Sequence, residues 1–342
     1  MSLPAPYLLF LGDVPWANRA KTGLGIAYWA RDLCTGQWRM PGCAADTGLP
    51  DLRPSEAVEK GARSLVLGVA PLGGAIPEAW HPYILEALES GLDVISGMHA
   101  RLSDLPEITA AAERFGRRLH DVRHTDRTIP PANALKRRGL RCLMVGLDSA
   151  LGKKFTALAL TAELKARGAK ATFRATGQTG IIIAGGGIAV DAVKADFVAG
   201  AAELISAENE ADHWDVIEGQ GSLFHGAYAA VTLGLIHGSQ PDAMVLCGHA
   251  TRDHLELLPH IPHRSYLDAI SVHEQLARVT NPASKVVAIS VNTSGLEGEA
   301  SAQAHINAIA DATGLPTTDP IRFGCRAMAD ALIAMTPQEA VS

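Results

Sequence analysis

Strand-like and helix-like runs alternate along almost the whole chain, and that alternation restricts the fold more than any other feature. YLLFLGDV (7–14) reads as a strand and GIAYWARDL (25–33) as a helix. SLVLGVAP (64–71) reads as a buried strand, HPYILEALESG (81–91) as a helix stopped by glycine, and LDVISGM (92–98) as a strand. LPEITAAAERFG (105–116) and RRLHDVR (117–123) complete the set as a helix and a short strand. Strands separated by helices pair in parallel, with helices covering both faces of the sheet.

TDRTIPPANALKRRG (125–139) breaks the rhythm. Its prolines and basic cluster suit an exposed linker. A second alternating set follows: RCLMVGLD (141–148) as a strand, FTALALTAELKARG (155–168) as a helix and KATFRATG (170–177) as a strand. DAVKADFVAGAAELIS (191–206) reads as a helix, and WDVIEGQG (214–221), AMVLCGHA (243–250) and KVVAISVNT (285–293) as strands. The expectation is an α/β chain of two parallel-sheet domains, residues 1–130 and 139–342.

Composition narrows the function. A chain of 342 residues can bury two sizeable cores. Its formal net charge of −6 argues against a nucleic-acid surface, which needs a basic face. The five cysteines are odd in number and form no CxxC pair, which suits reduced thiols in a cytoplasm. MSLPAPYLLFLGDV lacks a basic leader region and reads as a first strand rather than a signal peptide. IIIAGGGIAV (181–190) is too short and glycine-rich to span a bilayer. A soluble protein acting on a small molecule is expected, with no nucleic-acid or membrane partner. Enzymes of this architecture often form symmetric homo-oligomers.

The segment VGLDSALGKKFTALAL (145–160) carries the strongest chemical signal. Gly146, Asp148, Ser149 and Gly152 lie in a turn between a strand and a helix, and Lys153 follows. Such a turn makes an anion site, because the first helical N–H groups are unpaired and the helix dipole adds positive charge. The spacing Gly146-x5-Gly152-Lys153 is one residue longer than the common phosphate loop. Phe155, Leu158 and Ala162 are expected on the buried helical face, with Gly168 ending the helix. Lys154 stands where a metal-nucleotide site needs a hydroxyl. An ammonium repels Mg²⁺, and Thr156, two residues on, compensates only in part. The two lysines suit an anion bound without metal, such as the diphosphate or 3′-phosphate of coenzyme A. Asp148 either accepts from a ligand or bonds N–H groups of its own turn.

Other groups gather at strand ends, where open α/β sheets bind ligands. Arg174 either clamps a carboxylate or pairs with a surface acid. Gln178 lies in the glycine-rich stretch 177–187. Asp191 serves as a base or as a helix N-cap, and Asp196 is expected to be partly buried. Glu218, Gln220, Ser222 and His225 follow one strand, and His249, Arg252 and Asp253 follow another. Gly23-Leu24-Gly25 lacks the third glycine of a dinucleotide fingerprint, and GQGSL (219–223) is not a nucleophile elbow. His260 and His263 read as surface histidines, so no metal site is expected.

Three segments together, GLDSALGKKFTALAL, ATGQTGIIIAGGGIAVDAVKADFVAGAAE and WDVIEGQGSLFHGAY, resemble the D-glutamate N-acetyltransferase family. The resemblance covers nearly the whole chain and is strongest over 141–230. It implies a Rossmann-like N-terminal domain and a P-loop-like C-terminal domain. Family members usually carry GTDxxxGK, whereas this chain has Leu147 in place of the threonine. The loop also resembles that of dethiobiotin synthetase, which keeps a hydroxyl after the lysine. The implied activity is acetyl transfer from acetyl-CoA to the amine of D-glutamate. Direct transfer needs a carboxylate base, Asp191 or failing it Asp196 or Glu218. The loop from Gly146 to Lys154 would hold coenzyme A, with Thr156 beside it. Arg174, Gln178, Gln220 and Arg252 would position the substrate. Rival readings are a Mg²⁺-dependent ATP kinase or ligase, a metabolite sensor without turnover, and a nicotinamide oxidoreductase.

Overall fold

The structure, a computed structural model, describes residues 3–69 and 71–337. It divides into two compact units. The first is Met1–Asp126 together with Gln178–Ala189, and the second is Arg127–Gly177 with Val190–Ser342. Residues 178–189 therefore pack with the first unit, although in sequence they lie well beyond the linker.

The first unit runs β1 (Tyr7–Gly12), α1 (Lys21–Trp29), β2 (Cys34–Arg39), α2 (Pro54–Glu59), β3 (Ser64–Leu67), α3 (His81–Glu89), β4 (Asp93–Ser96), α4 (Pro106–Phe115) and β5 (Leu119–Asp121). The strands form one parallel sheet ordered β2-β1-β3-β4-β5. All six residues of YLLFLG are buried, as a central strand covered on both faces requires. Phe10 makes edge contacts with Trp38 and Trp80 at centroid distances of 5.6 and 5.4 Å. Helix α1 starts four residues before the expected Gly25, and Ala30 leaves helical geometry at φ −141° and ends it.

The second unit runs β6 (Leu140–Gly146), α5 (Lys153–Ala166) and β7 (Ala171–Arg174). The chain then supplies α6 (Gln178–Ala184) to the first unit. It returns as α7 (Val198–Ile205), β8 (Trp214–Ile217), α8 (Ala229–Ser239), β9 (Ala243–His249), β10 (His254–Leu255) and β11 (Leu258–Pro262). α9 (Tyr266–Ala277), β12 (Lys285–Asn292), α10 (Glu299–Thr313), β13 (Thr317–Thr318) and α11 (Arg326–Ile333) complete it. The sheet is parallel, ordered β13-β12-β9-β6-β8-β7, while β10 and β11 form a separate antiparallel ribbon. β6 lies between β8 and β9, so the chain winds away from it in both directions. That switch point is where such sheets open a crevice at their carboxyl ends.

Three expectations change. The helix expected over 191–206 is α7 alone, preceded by two 3₁₀ turns; Lys194 is extended at ψ 141° and separates them. The buried face of α5 is Lys153, Thr156, Ala157, Leu158, Leu160, Thr161 and Leu164; Leu158 is buried as expected, whereas Phe155 is only partly covered and Ala162 is exposed. The expectation for 155 and 162 misplaces the edges of that face, because Lys153 and two threonines are buried where apolar side chains are expected. The linker is largely exposed but anchored: Glu203, itself buried, accepts from the N–H groups of Asn133 and Ala134. Arg137 donates to the carbonyls of Ser206 at 3.0 Å and Gly238 at 2.8 Å.

Candidate active site at the carboxyl edge of the second sheet

The turn after β6 is held from within and from one side. Gly152 adopts φ +98°, a left-handed conformation that a side chain would strain, and it launches α5. Asp148 is fully buried. Its Oδ1 accepts from the Ser149 N–H at 2.6 Å, and its Oδ2 from the Glu256 N–H at 2.7 Å. Arg252 donates to the same Oδ2 at 3.2 Å, and His263 Nε2 lies 3.4 Å from it. Burial alone raises the Asp148 pKa. The bonds from Glu256, Ser149, His263 and Arg252 outweigh that and hold it below the ordinary carboxylate value. Asp148 thus bonds its own turn and pins the β10–β11 ribbon to it. His263 is correspondingly not a surface histidine, since its side chain is only 8% exposed.

His225 fixes the ribbon a second time. The Ala227 N–H donates to its Nδ1 at 3.2 Å, so Nε2 carries the proton and donates to the Glu256 carbonyl at 2.8 Å. Ser222, also buried, donates to the Gly146 carbonyl at 2.9 Å.

The two lysines differ. Lys153 is buried, and its Nζ donates to the Asp148 carbonyl at 2.7 Å. Burial pushes its pKa down to about 8. Lys154 is partly exposed, and its charge acts on Glu218. Thr156 is tied into the framework: its Oγ1 lies 3.3 Å from the Gly152 carbonyl, to which it donates, and 2.8 Å from Ser290 Oγ on β12, inside the core. That hydroxyl is engaged by the sheet rather than presented to a ligand.

Glu218 follows β8 and is 3% exposed. Its Oε2 accepts from the N–H groups of Thr176 at 2.9 Å and Gly177 at 3.0 Å. Oε1 makes no hydrogen bond among the described residues. Burial raises the Glu218 pKa to about 7, against the lowering effects of Lys154 and the two amides, with Asp191 raising it further. The next residue, Gly219, passes so close to β6 that a Cβ there would lie 1.8 Å from the Met144 carbonyl oxygen. A side chain at 219 would drive β8 off β6 and displace Glu218. Gln220 Nε2 donates to Thr176 Oγ1 at 3.3 Å, which braces the same corner.

The remaining sequence candidates fall elsewhere. Asp191 and Asp196 lie in the 3₁₀ turns and are exposed, so the expected burial of Asp196 is not found. Asp191 still lies within electrostatic range of Glu218. Arg174 pairs through Nε with buried Asp215 at 2.8 Å, and Asp215 sits two positions back from the end of β8. Gln178 opens α6 in the first unit, its side chain against Gly97. Sequence reading missed Thr176 and His263. The first had no signal beyond its place before Gly177, and the second lay behind a proline. Among the described residues, no group of three or more His, Cys, Asp or Glu side chains is placed to hold a metal ion. No described helix is long and apolar enough to cross a membrane.

Known proteins resemble this chain in sequence and in fold. Residues 129–329 match the P-loop domain of the family described as domain of unknown function DUF1611, and residues 38–125 match its Rossmann-like domain. A D-glutamate N-acetyltransferase from Tritonibacter scottomollicae is 49% identical, covering 97% of this chain and 100% of that protein. A D-glutamate N-acetyltransferase from a Pseudoalteromonas species is 41% identical, covering 95% of this chain and 97% of that one. The crystal structure of a DUF1611 family protein from Anabaena variabilis superposes with a TM-score of 0.85 at 32% identity, covering 97% of this chain and 100% of that chain.

Proposed function

The chain belongs to the DUF1611 family, and from that premise we propose that it is an N-acetyltransferase moving an acetyl group from acetyl-CoA to the amine of D-glutamate. The names of two relatives at 49% and 41% identity support the reaction class and the substrate. The observation that carries the mechanism is Glu218, a buried carboxylate with a pKa near 7 that follows β8 at the carboxyl end of the second sheet.

An amino-acid ammonium cannot attack a carbonyl until it loses a proton. A base matched to neutral pH removes that proton most effectively. Oε2 of Glu218 is fixed by two amides, which leaves Oε1 to take the proton. The freed amine attacks the thioester carbon of acetyl-CoA, the C–S bond breaks, and the CoA thiolate leaves as the thiol with the proton that Glu218 took from the amine. The anion-binding donors of the turn fit the phosphates of acetyl-CoA: Lys153, Lys154 and the N–H groups at the start of α5. Lys154 then has two roles, neutralising phosphate and keeping Glu218 ionisable near pH 7.

Transfer is direct in this reading. Burial pushes the thiol of Cys247 up to about 11 and that of Cys325 up to about 12, and it raises Cys142 as well. None of these three is a thiolate at neutral pH. Substrate positioning falls to Gln220 and Arg252 at this edge. Arg174, paired with Asp215, contributes only if it exchanges partners.

The test follows thiol release from acetyl-CoA with D-glutamate in EDTA, beside L-glutamate and ATP/Mg²⁺ controls. Release with D-glutamate without metal is the expected result. Its absence, with Mg²⁺-dependent ATP turnover instead, overturns the proposal in favour of a kinase or ligase.

A further inference from the structure

We propose that a cleft at the amino-terminal edge of the first sheet binds a small polyanion, one carrying two carboxylate or phosphate groups. The cleft holds about 580 Å³, within the usual range for small-molecule sites. It opens where β3, β4 and β5 begin, and Arg63, Arg117, Arg118, His120 and Asp93 line it. All the residues that line it belong to the first unit.

The charges around it do not balance. Three guanidinium groups face one carboxylate, on a chain whose net charge is −6. Asp93 is already engaged: its Oδ1 accepts from the Arg118 N–H at 3.0 Å, and its Oδ2 lies 3.3 Å from His120 Nε2. The Asp93 and His120 side chains are 16% and 20% exposed and form the floor. Arg117 is fixed by the chain, donating through Nε to the Phe115 carbonyl and through Nη1 to the Gly91 carbonyl. Phe115 is the last residue of α4 and Gly91 lies just past the end of α3, so Arg117 also completes two helix termini. Arg63 and Arg118 have no such duty. Both side chains are exposed, and neither guanidinium makes a hydrogen bond or ion pair among the described residues. Two unengaged planar forks beside a third fixed one suit bidentate recognition of carboxylate or phosphate oxygens.

Calorimetric titration of the full chain with pyrophosphate and, separately, with succinate tests this. Three proteins are compared: wild type, Arg63→Ala/Arg118→Ala, and Lys153→Met/Lys154→Met, which removes the cations of the phosphate turn. At least one probe is expected to give a saturable event that survives in the lysine variant. The same event should weaken about a hundredfold in the arginine variant, roughly tenfold for each guanidinium removed from the anion. The probe that binds distinguishes phosphate from carboxylate chemistry. Both arginines are exposed and unengaged, so an unchanged melting temperature is the control on folding. If the lysine variant does not fold, the comparison of wild type with the arginine variant must show one event fewer. The proposal is overturned if neither probe binds outside the phosphate turn, or if the surviving event is indifferent to Arg63 and Arg118. Loss of binding in the lysine variant alone would speak to the phosphate turn and leave acetyl transfer to be judged by its own assay.

Discussion

The two units are built from the same strand–helix alternation, yet they bury different things. Among the described residues, Arg123 is the only buried side chain in the first unit from the Lys, Arg, Asp and Glu set. The second unit buries Arg141, Asp148, Lys153, Glu203, Asp215, Glu218 and Asp319, along with His225 and His273. Burying a charge costs free energy unless partners compensate it. Arg141, Asp148 and Glu203 are compensated by several hydrogen bonds each, and act as struts. Burial shifts Glu218 and Lys153 toward the neutral form, as it does Arg141, but Lys153 makes one hydrogen bond and Glu218 two, against five for the Arg141 side chain. Local departures from good packing chemistry of this kind gather at functional sites. The first unit is a scaffold by this measure, and the second carries strain at one edge.

Glu218→Gln separates these alternatives most sharply. The amide keeps an oxygen for the Thr176 and Gly177 N–H groups but cannot accept a proton. Turnover should fall about a hundred- to ten-thousandfold, the usual weight of a general base. In the wild type, kcat/KM should rise as pH rises through about 7, because Glu218 acts as a base only when ionised. Stability should move the opposite way. A carboxyl raised from 4.5 to about 7 in the fold favours folding below its unfolded pKa, and that benefit disappears as pH climbs through 7. The shift amounts to about 3 kcal/mol. Glu218→Gln should therefore melt higher than wild type at pH 8 and lose the wild type's decline between pH 5 and 8. A melting series across that range checks it; equal slopes would mean that Glu218 is an ordinary buried strut.

Asp148→Ala is the converse. It removes a carboxylate that holds the turn and the β10–β11 ribbon together, leaving the Glu256 N–H unpaired and Arg252 with only Glu256 Oε2 and the Ser149 carbonyl. A loss of about 3 kcal/mol is expected. Amide hydrogen exchange should quicken over residues 254–262 while the first sheet keeps its protection. Lys153→Met belongs between these two cases. It relieves a buried ammonium, so stability should hold or rise at pH 7, while the KM for acetyl-CoA rises about tenfold because a phosphate oxygen has no ammonium to meet. Steady-state kinetics and a melting curve on the same preparation separate the two effects.

Much of this division was legible in the sequence, and the parts that were not share a cause. Period and punctuation place nearly every strand of both sheets, because a buried parallel strand is a short apolar run between turn residues. The Gly146–Lys154 turn is legible for the same local reason. Long-range partners are not. That residues 178–189 pack with the first unit depends on the chain's path, which no local pattern encodes. The order Asp191, Asp196, Glu218 carries no information on burial, and the structure leaves both aspartates exposed while it buries Glu218. Burial at 218 comes from Gly219 passing close beside β6, a tertiary contact. The ribbon latch needs Asp148, Arg252, Glu256 and His263, which are spread over 116 positions and meet only after β6 and β9 pair. His263 behind Pro262 gives no sign of this beforehand.

The smallest effect tests whether a buried hydroxyl near a helix start has a chemical role in either unit. Thr22 Oγ1 on α1 lies 3.1 Å from Thr179 Oγ1 on α6, and Thr156 Oγ1 on α5 lies 2.8 Å from Ser290 Oγ. Both pairs are buried, and both join a helix to its own unit's core. If each is structural, Thr22→Val and Thr156→Val should each lower stability by about 1 kcal/mol, the ordinary weight of a buried hydrogen bond. Neither should change turnover. A nucleotide-metal site would make the two unequal, because Thr156 is the hydroxyl nearest the position that Lys154 denies to a metal. Thr156→Val would then lose activity in a manner dependent on Mg²⁺, while Thr22→Val would not. Equal small losses in melting temperature, with kcat unchanged in EDTA and in Mg²⁺, place Thr156 with Thr22 as part of the framework and leave phosphate binding at the turn to the lysines and backbone amides.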